Sequence, residues 1–171
     1  DRISSAVAGR LQPRLLGAET KRSMSRPPET LQAWELVNRA RQPYASRDDT
    51  TSALSLLRRA ISLEPNYGEA HAMLALLTSF TVTVRGPQYA DEAIQAMDKA
   101  LEVDPENDLT LMASGVCCVN LTRYDDAIDY CRRAVDINPN FASAWAYYGL
   151  ATLGAEKDGH AAIERLERAF E

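Results

Sequence analysis

Cysteine and histidine are the residues in this chain whose chemistry could support catalysis or metal binding. The cysteines are Cys117, Cys118 and Cys131, and the histidines are His71 and His160. A structural zinc site needs closely paired ligands, as in Cys-x-x-Cys, and these residues do not show that spacing. We therefore expect no metal ion and no other cofactor. We expect His71 to pack against neighbouring side chains and His160 to face solvent.

Motifs for nucleophilic catalysis and phosphate binding are also missing from the sequence. There is no Gly-x-Gly-x-x-Gly segment and no phosphate-binding loop. Acidic pairs such as Asp91-Glu92 fall at predicted helix starts, where carboxylates interact favourably with the helix dipole. Cys118 is predicted to lie near Cys131, and buried free thiols are favoured over a disulfide. The sequence thus predicts a chain without catalytic residues.

Composition and charge exclude several classes of protein. The 171 residues are 46% hydrophobic and 25% charged, close to the average for globular domains. The net charge of −5 argues against general nucleic-acid binding, which needs a basic surface to replace counterions. No stretch approaches the roughly 20 apolar residues of a membrane span. Three cysteines are too few for a disulfide scaffold, which favours a cytoplasmic location.

A repeat organises most of the chain. In each of three segments an alanine precedes a proline by twelve residues. Apolar residues at offsets 0, 1, 4, 7 and 8 from that alanine lie on one face of a helix. These alanines and prolines are Ala53 and Pro65, Ala93 and Pro105, and Ala127 and Pro139. A fourth copy begins at Ala162 and has the same spacing through Ala169-Phe170. Because proline cannot continue a helix, each Pro predicts a helix end.

A second apolar helix precedes each of these segments, so every unit is a helix–turn–helix. The predicted first helices cover residues 34–41, 71–80, 111–119 and 145–153. Small residues near their middles, Ala75, Gly115 and Gly149, predict positions where a neighbouring helix approaches closely. The pattern predicts long internal turns in the first unit, near residues 46–49, and in the second, around Gly86-Pro87.

These residues resemble tetratricopeptide repeats, whose usual period is 34 residues. The unit from Leu111 to Pro139 fits best, with Gly115 at the small position of its first helix. The resemblance covers residues 30–171, in units of about 30–66, 67–106, 107–140 and 141–171. It implies an all-α tetratricopeptide-repeat superhelix, an α-α solenoid of about four helical hairpins with an extra N-terminal helix. Such a fold is a protein-binding module without catalytic activity.

The first 28 residues form a different element, predicted to be a kinked helical segment and linker. Ile3, Val7 and Leu11 lie at helical spacing, and Pro13 interrupts the pattern. Residues 1–13 resemble the last helix of a TolB-like module. That resemblance implies a piece of a larger bacterial signalling protein with two alternatives: the C-terminal part of a class III adenylate cyclase, or the ligand-sensing region of a winged-helix transcriptional regulator.

The repeat register predicts a mostly apolar concave groove that binds an amphipathic protein segment. The basic clamp with which related domains grip a terminal carboxylate is missing. Residues 1–28 carry a net charge of +4 and residues 29–171 one of −9, so the chain's own N-terminal segment is one predicted occupant. An upstream domain and a homodimer through the uncapped last repeat are alternatives. The predicted groove residues are Leu36, Arg39, Met73, Leu76, Phe80, Met112, Val116, Val119, Asn120, Tyr147, Leu150 and Leu153.

Overall fold

The computed structural model describes residues 32–41, 47–155 and 159–170, with the side chains of 47–49 left aside. The described residues form helices joined by short turns. The predicted N-terminal segment over residues 1–28, including its resemblance to a TolB-like module, lies outside the described residues. The chain divides into two compact units, Asp1–Pro65 and Asn66–Glu171.

In the first unit the described residues form a helical hairpin, α1 (Ala33–Ala40) and α2 (Arg47–Leu63). Helix α1 begins with a capping box, in which the Gln32 backbone N–H donates to the Glu35 carboxylate over 2.9 Å. Leu36 and Val37 of α1 and Leu57 of α2 are fully buried. With the buried alanines of the same helices they recur at helical spacing, so one apolar stripe on each helix forms the core of this hairpin: Ala33, Leu36, Val37 and Ala40 on α1, and Ala53, Leu57 and Ala60 on α2.

The second unit contains three hairpins, which confirms the predicted helix–turn–helix repeat. They pair α3 (Gly68–Arg85) with α4 (Ala90–Val103), α5 (Asp108–Asn120) with α6 (Tyr124–Ile137), and α7 (Ala142–Gly154) with α8 (Gly159–Arg168). The first helices also pack on each other, α3 against α5 and α5 against α7. Stacked in this way, each hairpin covers an apolar flank of the next, which a single hairpin cannot bury by itself.

The predicted proline stop signals are confirmed in both units. Helix α2 ends at Leu63, α4 at Val103 and α6 at Ile137, in each case two residues before the proline. The residue preceding Pro105 has φ −145° and ψ 75°, and the one preceding Pro139 has φ −130° and ψ 87°. Both conformations lie outside the helical region, as expected for a residue that precedes proline.

The long internal turn of the second repeat is found at the predicted place. Helix α3 ends at Arg85, and Gly86 follows with φ +108°, a conformation that side chains rarely tolerate. A 3-10 turn, Pro87–Tyr89, then leads into α4. Part of the extra length is nevertheless helical, because α3 has 18 residues where α5 has 13. The sequence prediction had assigned the whole excess to the turn.

Two glycines allow the helices of their hairpins to approach closely, as predicted. A Cβ added at Gly115 would lie 2.3 Å from the Cys131 sulfur of the facing helix. At Gly149 it would lie 2.7 Å from Leu166 Cγ and 3.0 Å from the Ala162 carbonyl oxygen. At distances this short the neighbouring atoms must shift to admit a side chain, which costs packing energy.

Gly149→Leu is therefore expected to destabilise the chain by about 1–3 kcal/mol, because the added side chain overpacks the contact between α7 and α8. Urea unfolding followed by circular dichroism measures this change. The matched control is Gly159→Leu, since a Cβ at Gly159 meets no atom within 4 Å. Equal stabilities of the two variants would contradict the close approach at Gly149.

Thr122 occupies a conformation that suits glycine better. Its φ is +59°, in the turn that joins α5 to α6. The backbone N–H of Arg123 donates to the Cys118 carbonyl oxygen over 2.8 Å, which closes the end of α5. For an L residue other than glycine this left-handed conformation costs about 1–2 kcal/mol.

Thr122→Gly is expected to stabilise the chain by about 0.5–1 kcal/mol, the relieved strain less the extra unfolded-state entropy of glycine. The measurement is the urea midpoint at constant slope. Thr122→Ala, which keeps a Cβ, should show no comparable gain. A lower midpoint for the glycine variant than for the alanine variant would refute the strain at this position.

Candidate functional site

The first helices of the second unit are joined by a polar contact as well as by packing. Asn120 Nδ2, at the end of α5, donates to the Ser79 hydroxyl of α3 over 3.0 Å. The same hydroxyl donates to the Leu76 carbonyl oxygen over 2.8 Å. In the repeat, Ser79 of α3 corresponds to Val119 of α5, the residue next to Asn120. The hydrogen bond therefore joins corresponding parts of α3 and α5.

The twelve predicted groove residues fall into three groups by exposure. Four are buried in the cores of their units: Leu36, Met73, Met112 and Val116. Five are partly exposed: Arg39, Leu76, Val119, Asn120 and Tyr147. Three are exposed: Phe80, Leu150 and Leu153. The buried side chains offer little or no surface to a partner, so any contact must be made by the other eight.

The repeat register shows why equivalent positions differ in exposure. Val116 and Val135 belong to one buried cluster with Tyr148 of α7, and they are 0% and 5% exposed. One repeat later the same positions hold Leu150 and Phe170, which are 42% and 91% exposed. Stacking α7 on the preceding hairpin buries the first pair, whereas the second pair remains accessible.

An additional exposed residue was missed by the sequence prediction. Val84, on the last turn of α3, is 74% exposed and lies one helical turn beyond Phe80. It falls in the part of α3 that the other first helices lack, so the repeat register does not include it. We call the accessible surface on α3, α5 and α7 the first-helix face, formed by Leu76, Phe80, Val84, Val119, Asn120, Tyr147, Leu150 and Leu153.

The three cysteines are buried free thiols, as expected. The Cys118 sulfur lies 3.8 Å from the Met97 sulfur, and the Cys117 sulfur lies 3.9 Å from the Ala93 carbonyl oxygen. Burial raises the pKa of Cys117 and of Cys131 to about 12 and that of Cys118 to about 11. Thiols that stay protonated are poor nucleophiles, so these side chains pack rather than react.

The described residues show neither a metal-binding cluster nor a membrane-spanning helix. Among them there is no group of three or more His, Cys, Asp or Glu side chains placed to hold a metal ion. None of the described helices is both long and apolar enough to cross a membrane. His71 is buried in α3, as its predicted packing position requires, and His160 is exposed on α8.

Comparison with known proteins agrees with the geometry of the hairpins. Residues 90–142 match the tetratricopeptide repeat family. The matched segment covers α4, α5 and α6, the region where the repeat pattern of the sequence is most regular. None of the curated proteins matches the chain.

The solved structures similar to this chain include several of MamA. MamA 41-end from Desulfovibrio magneticus RS-1 has a TM-score of 0.60 at 15% identity, over 99% of this chain and 92% of that one. MamA AMB-1 has a TM-score of 0.58 at 22% identity, over 99% and 93%. A further MamA structure has a TM-score of 0.58 at 20% identity, over 81% and 71%. Identities this low establish the fold alone.

The predicted fold class is therefore confirmed: the chain has the all-α fold of tetratricopeptide repeats. This fold serves as a protein-interaction module and is generally without catalytic activity. The resemblance of residues 1–13 to a TolB-like module is not supported by these comparisons and stays a prediction. The same is true of the bacterial origin, the cytoplasmic location, the adenylate cyclase and the transcriptional regulator.

The buried thiols predict a loss of stability at alkaline pH. Their folded pKa values lie above the ordinary value of 9.0, so the unfolded chain loses these protons first as the pH rises. Each thiol should lower the free energy of unfolding by about 1 kcal/mol between pH 8 and pH 10.

Urea unfolding at pH 8 and pH 10, for the natural chain and for Cys131→Ala, measures this linkage. The variant should lose less stability over that interval, by the contribution of one thiol. An identical pH dependence in the two proteins would show that Cys131 keeps its ordinary pKa in the folded state.

Proposed function

We propose that this chain is a protein-interaction module that binds an amphipathic helical segment on its first-helix face. The carrying observation is the exposure of large apolar side chains there: Phe80 at 38%, Val84 at 74%, Leu150 at 42% and Leu153 at 56%. Burying a fully exposed Leu, Val or Phe side chain contributes about 1.5–3 kcal/mol, so covering the exposed parts of these four side chains together suffices for measurable binding.

The spacing of the apolar residues suits a helical ligand. Phe80 and Val84 are four residues apart on α3, and Leu150 and Leu153 are three apart on α7, so each pair presents one side of its helix. Between them α5 offers Val119 and the Asn120 amide, which gives the face one polar position among apolar ones. An amphipathic helix with anchors at i, i+3, i+4 and i+7 complements such a surface.

The occupant we favour is the chain's own N-terminal segment, within one molecule or between two. In its sequence Ile3, Val7 and Leu11 recur at helical spacing. The segment is basic, with a charge of +4 over residues 1–28 against −9 over residues 29–171. Opposite net charges raise the rate of association and favour this partner over acidic ones.

Calorimetric titration of a synthetic peptide of residues 1–24 into a chain of residues 29–171 tests this proposal. Circular dichroism of the shortened chain first establishes that it keeps its helical content. We expect micromolar or tighter binding. Leu150→Asp should lower the affinity for the peptide by at least about tenfold, because burying a carboxylate against an apolar peptide side chain costs free energy.

The matched control is Ile137→Asp. Ile137 is 46% exposed at the end of α6, on a second helix and thus away from the first-helix face. Both variants should keep their stability within about 0.5 kcal/mol, as exposed substitutions do. Equal loss of peptide binding in both variants would show that the peptide does not bind at the first-helix face.

The remaining outcomes identify other occupants. No heat of binding at any peptide concentration would exclude the N-terminal segment. Concentration-dependent dimers in sedimentation, lost in Leu150→Asp and kept in Ile137→Asp, would assign the face to a second copy through the exposed last hairpin.

A further inference from the structure

A cavity of about 590 Å³ lies among the side chains of α6, α7 and α8 in the last two hairpins. None of the residues that line it belongs to the first-helix face. Its volume falls in the range of about 300–1,000 Å³ that is typical of small-molecule sites. Its lining combines two aromatic rings with three arginines.

The aromatic wall of this cavity is held in place by several contacts. The Trp145 and Tyr148 rings are stacked, with centroids 6.1 Å apart and planes inclined by 23°. The Arg165 guanidinium lies 4.1 Å from the centroid of the Tyr148 ring, and its Nη1 donates to the Thr152 hydroxyl over 3.0 Å. Trp145 Nε1 donates to the Pro139 carbonyl oxygen over 2.8 Å. The wall is thus positioned before any ligand arrives.

The charge of the lining is positive, unlike that of the chain as a whole. Arg132, Arg165 and Arg168 outnumber Asp136 and Glu164, whereas the chain carries a net charge of −5. Arg132 also pairs with a carboxylate of its own helix, that of Asp129. The excess positive charge next to two aromatic rings is a local feature of this cavity.

The preceding repeat shows that packing does not require these residues. At the corresponding positions of α4 and α6, two of the three arginines are replaced by Asp98 and Tyr130, the third is kept as Arg133, and the acidic positions are kept as Glu102 and Asp129. Leu111 and Ser114 stand where the later repeat has Trp145 and Tyr148. The earlier surface therefore has three acids and one arginine. The same backbone arrangement carries the opposite charge and no tryptophan.

We propose that this cavity binds a small ligand consisting of an aromatic ring that bears an anionic group, either a carboxylate or a phosphate. The ring stacks against the face of Trp145, since aromatic pairs favour offset stacking. The anionic group accepts hydrogen bonds from the guanidinium groups of Arg132, Arg165 and Arg168, which match carboxylate and phosphate in geometry. Asp136 and Glu164, which also line the cavity, disfavour a ligand with a second anionic group.

Tryptophan fluorescence of the full chain tests this inference. The chain has two tryptophans, so Trp34→Phe leaves Trp145 as the sole reporter. Four probes are compared. Phenyl phosphate and benzoate combine an aromatic ring with a phosphate or a carboxylate, phenol supplies the ring without the anion, and inorganic phosphate supplies the anion without the ring. At least one of the two aromatic anions should bind about tenfold or more tighter than either phenol or inorganic phosphate. The preferred one distinguishes a phosphate ligand from a carboxylate.

Two substitutions in the cavity predict opposite changes in affinity. Arg168→Gln should lower the affinity for the preferred probe by about tenfold, because a charge-assisted hydrogen bond is lost. Asp136→Asn should raise that affinity several-fold, because a repulsive carboxylate is removed. Both side chains are exposed, so the folded state should be kept, which thermal unfolding verifies. The matched control is Arg133→Gln, which removes the corresponding arginine of the preceding repeat and should leave the affinity unchanged.

Three results would overturn the inference. One is phenol binding as tightly as both aromatic anions. Another is an equal affinity of the Arg168→Gln and Arg133→Gln variants for the preferred probe. The third is the absence of a saturable fluorescence change at about 10 mM of every probe.

Discussion

Close packing between the two helices of each hairpin is the constraint on which the rest of this fold depends. The second hairpin segments carry alanine at offsets 0 and 7 of the repeat, and all of these alanines except Ala169, which follows the end of α8, are almost completely buried: Ala53, Ala60, Ala93, Ala100, Ala127, Ala134 and Ala162. Gly115 and Gly149 face them from the first helices, where even a Cβ would collide with the neighbour. Small side chains inside each hairpin leave the larger apolar residues to fill the space between hairpins.

That division of roles explains which apolar residues become accessible. Residues between hairpins are buried only where another hairpin stacks on them, as α7 does on Val116 and Val135. Leu150 and Phe170 occupy the same register one repeat later and are exposed. The same register position is thus buried or exposed according to whether another hairpin packs on it.

Departures from the repeat carry the information that is specific to this chain. The extension of α3 adds Val84 to the first-helix face, and the contact between Asn120 and Ser79 places a polar group among apolar ones. On α7, Trp145 and Tyr148 replace a leucine and a serine of the preceding unit, and on the neighbouring second helices Arg132 and Arg165 replace an aspartate and a tyrosine. The hairpins pack with either set of residues, those that line the cavity or their counterparts in the preceding repeat. The two surfaces therefore differ in the ligands they suit, although their backbones follow the same pattern.

Much of the architecture was predictable from local patterns. Alanines and prolines twelve residues apart predicted the second helices and their ends, and Gly86-Pro87 predicted the turn after α3, because helix periodicity and proline act within a few residues. Exposure was not predictable in this way. Leu76, Val116 and Leu150 share one register and are partly exposed, buried and exposed, because exposure depends on the neighbouring helix that packs there. The cavity beside Trp145 likewise needs three helices brought together from separate parts of the sequence. Local sequence sets the helices and their apolar stripes, whereas the burial of each side chain follows from contacts that form only when the hairpins stack.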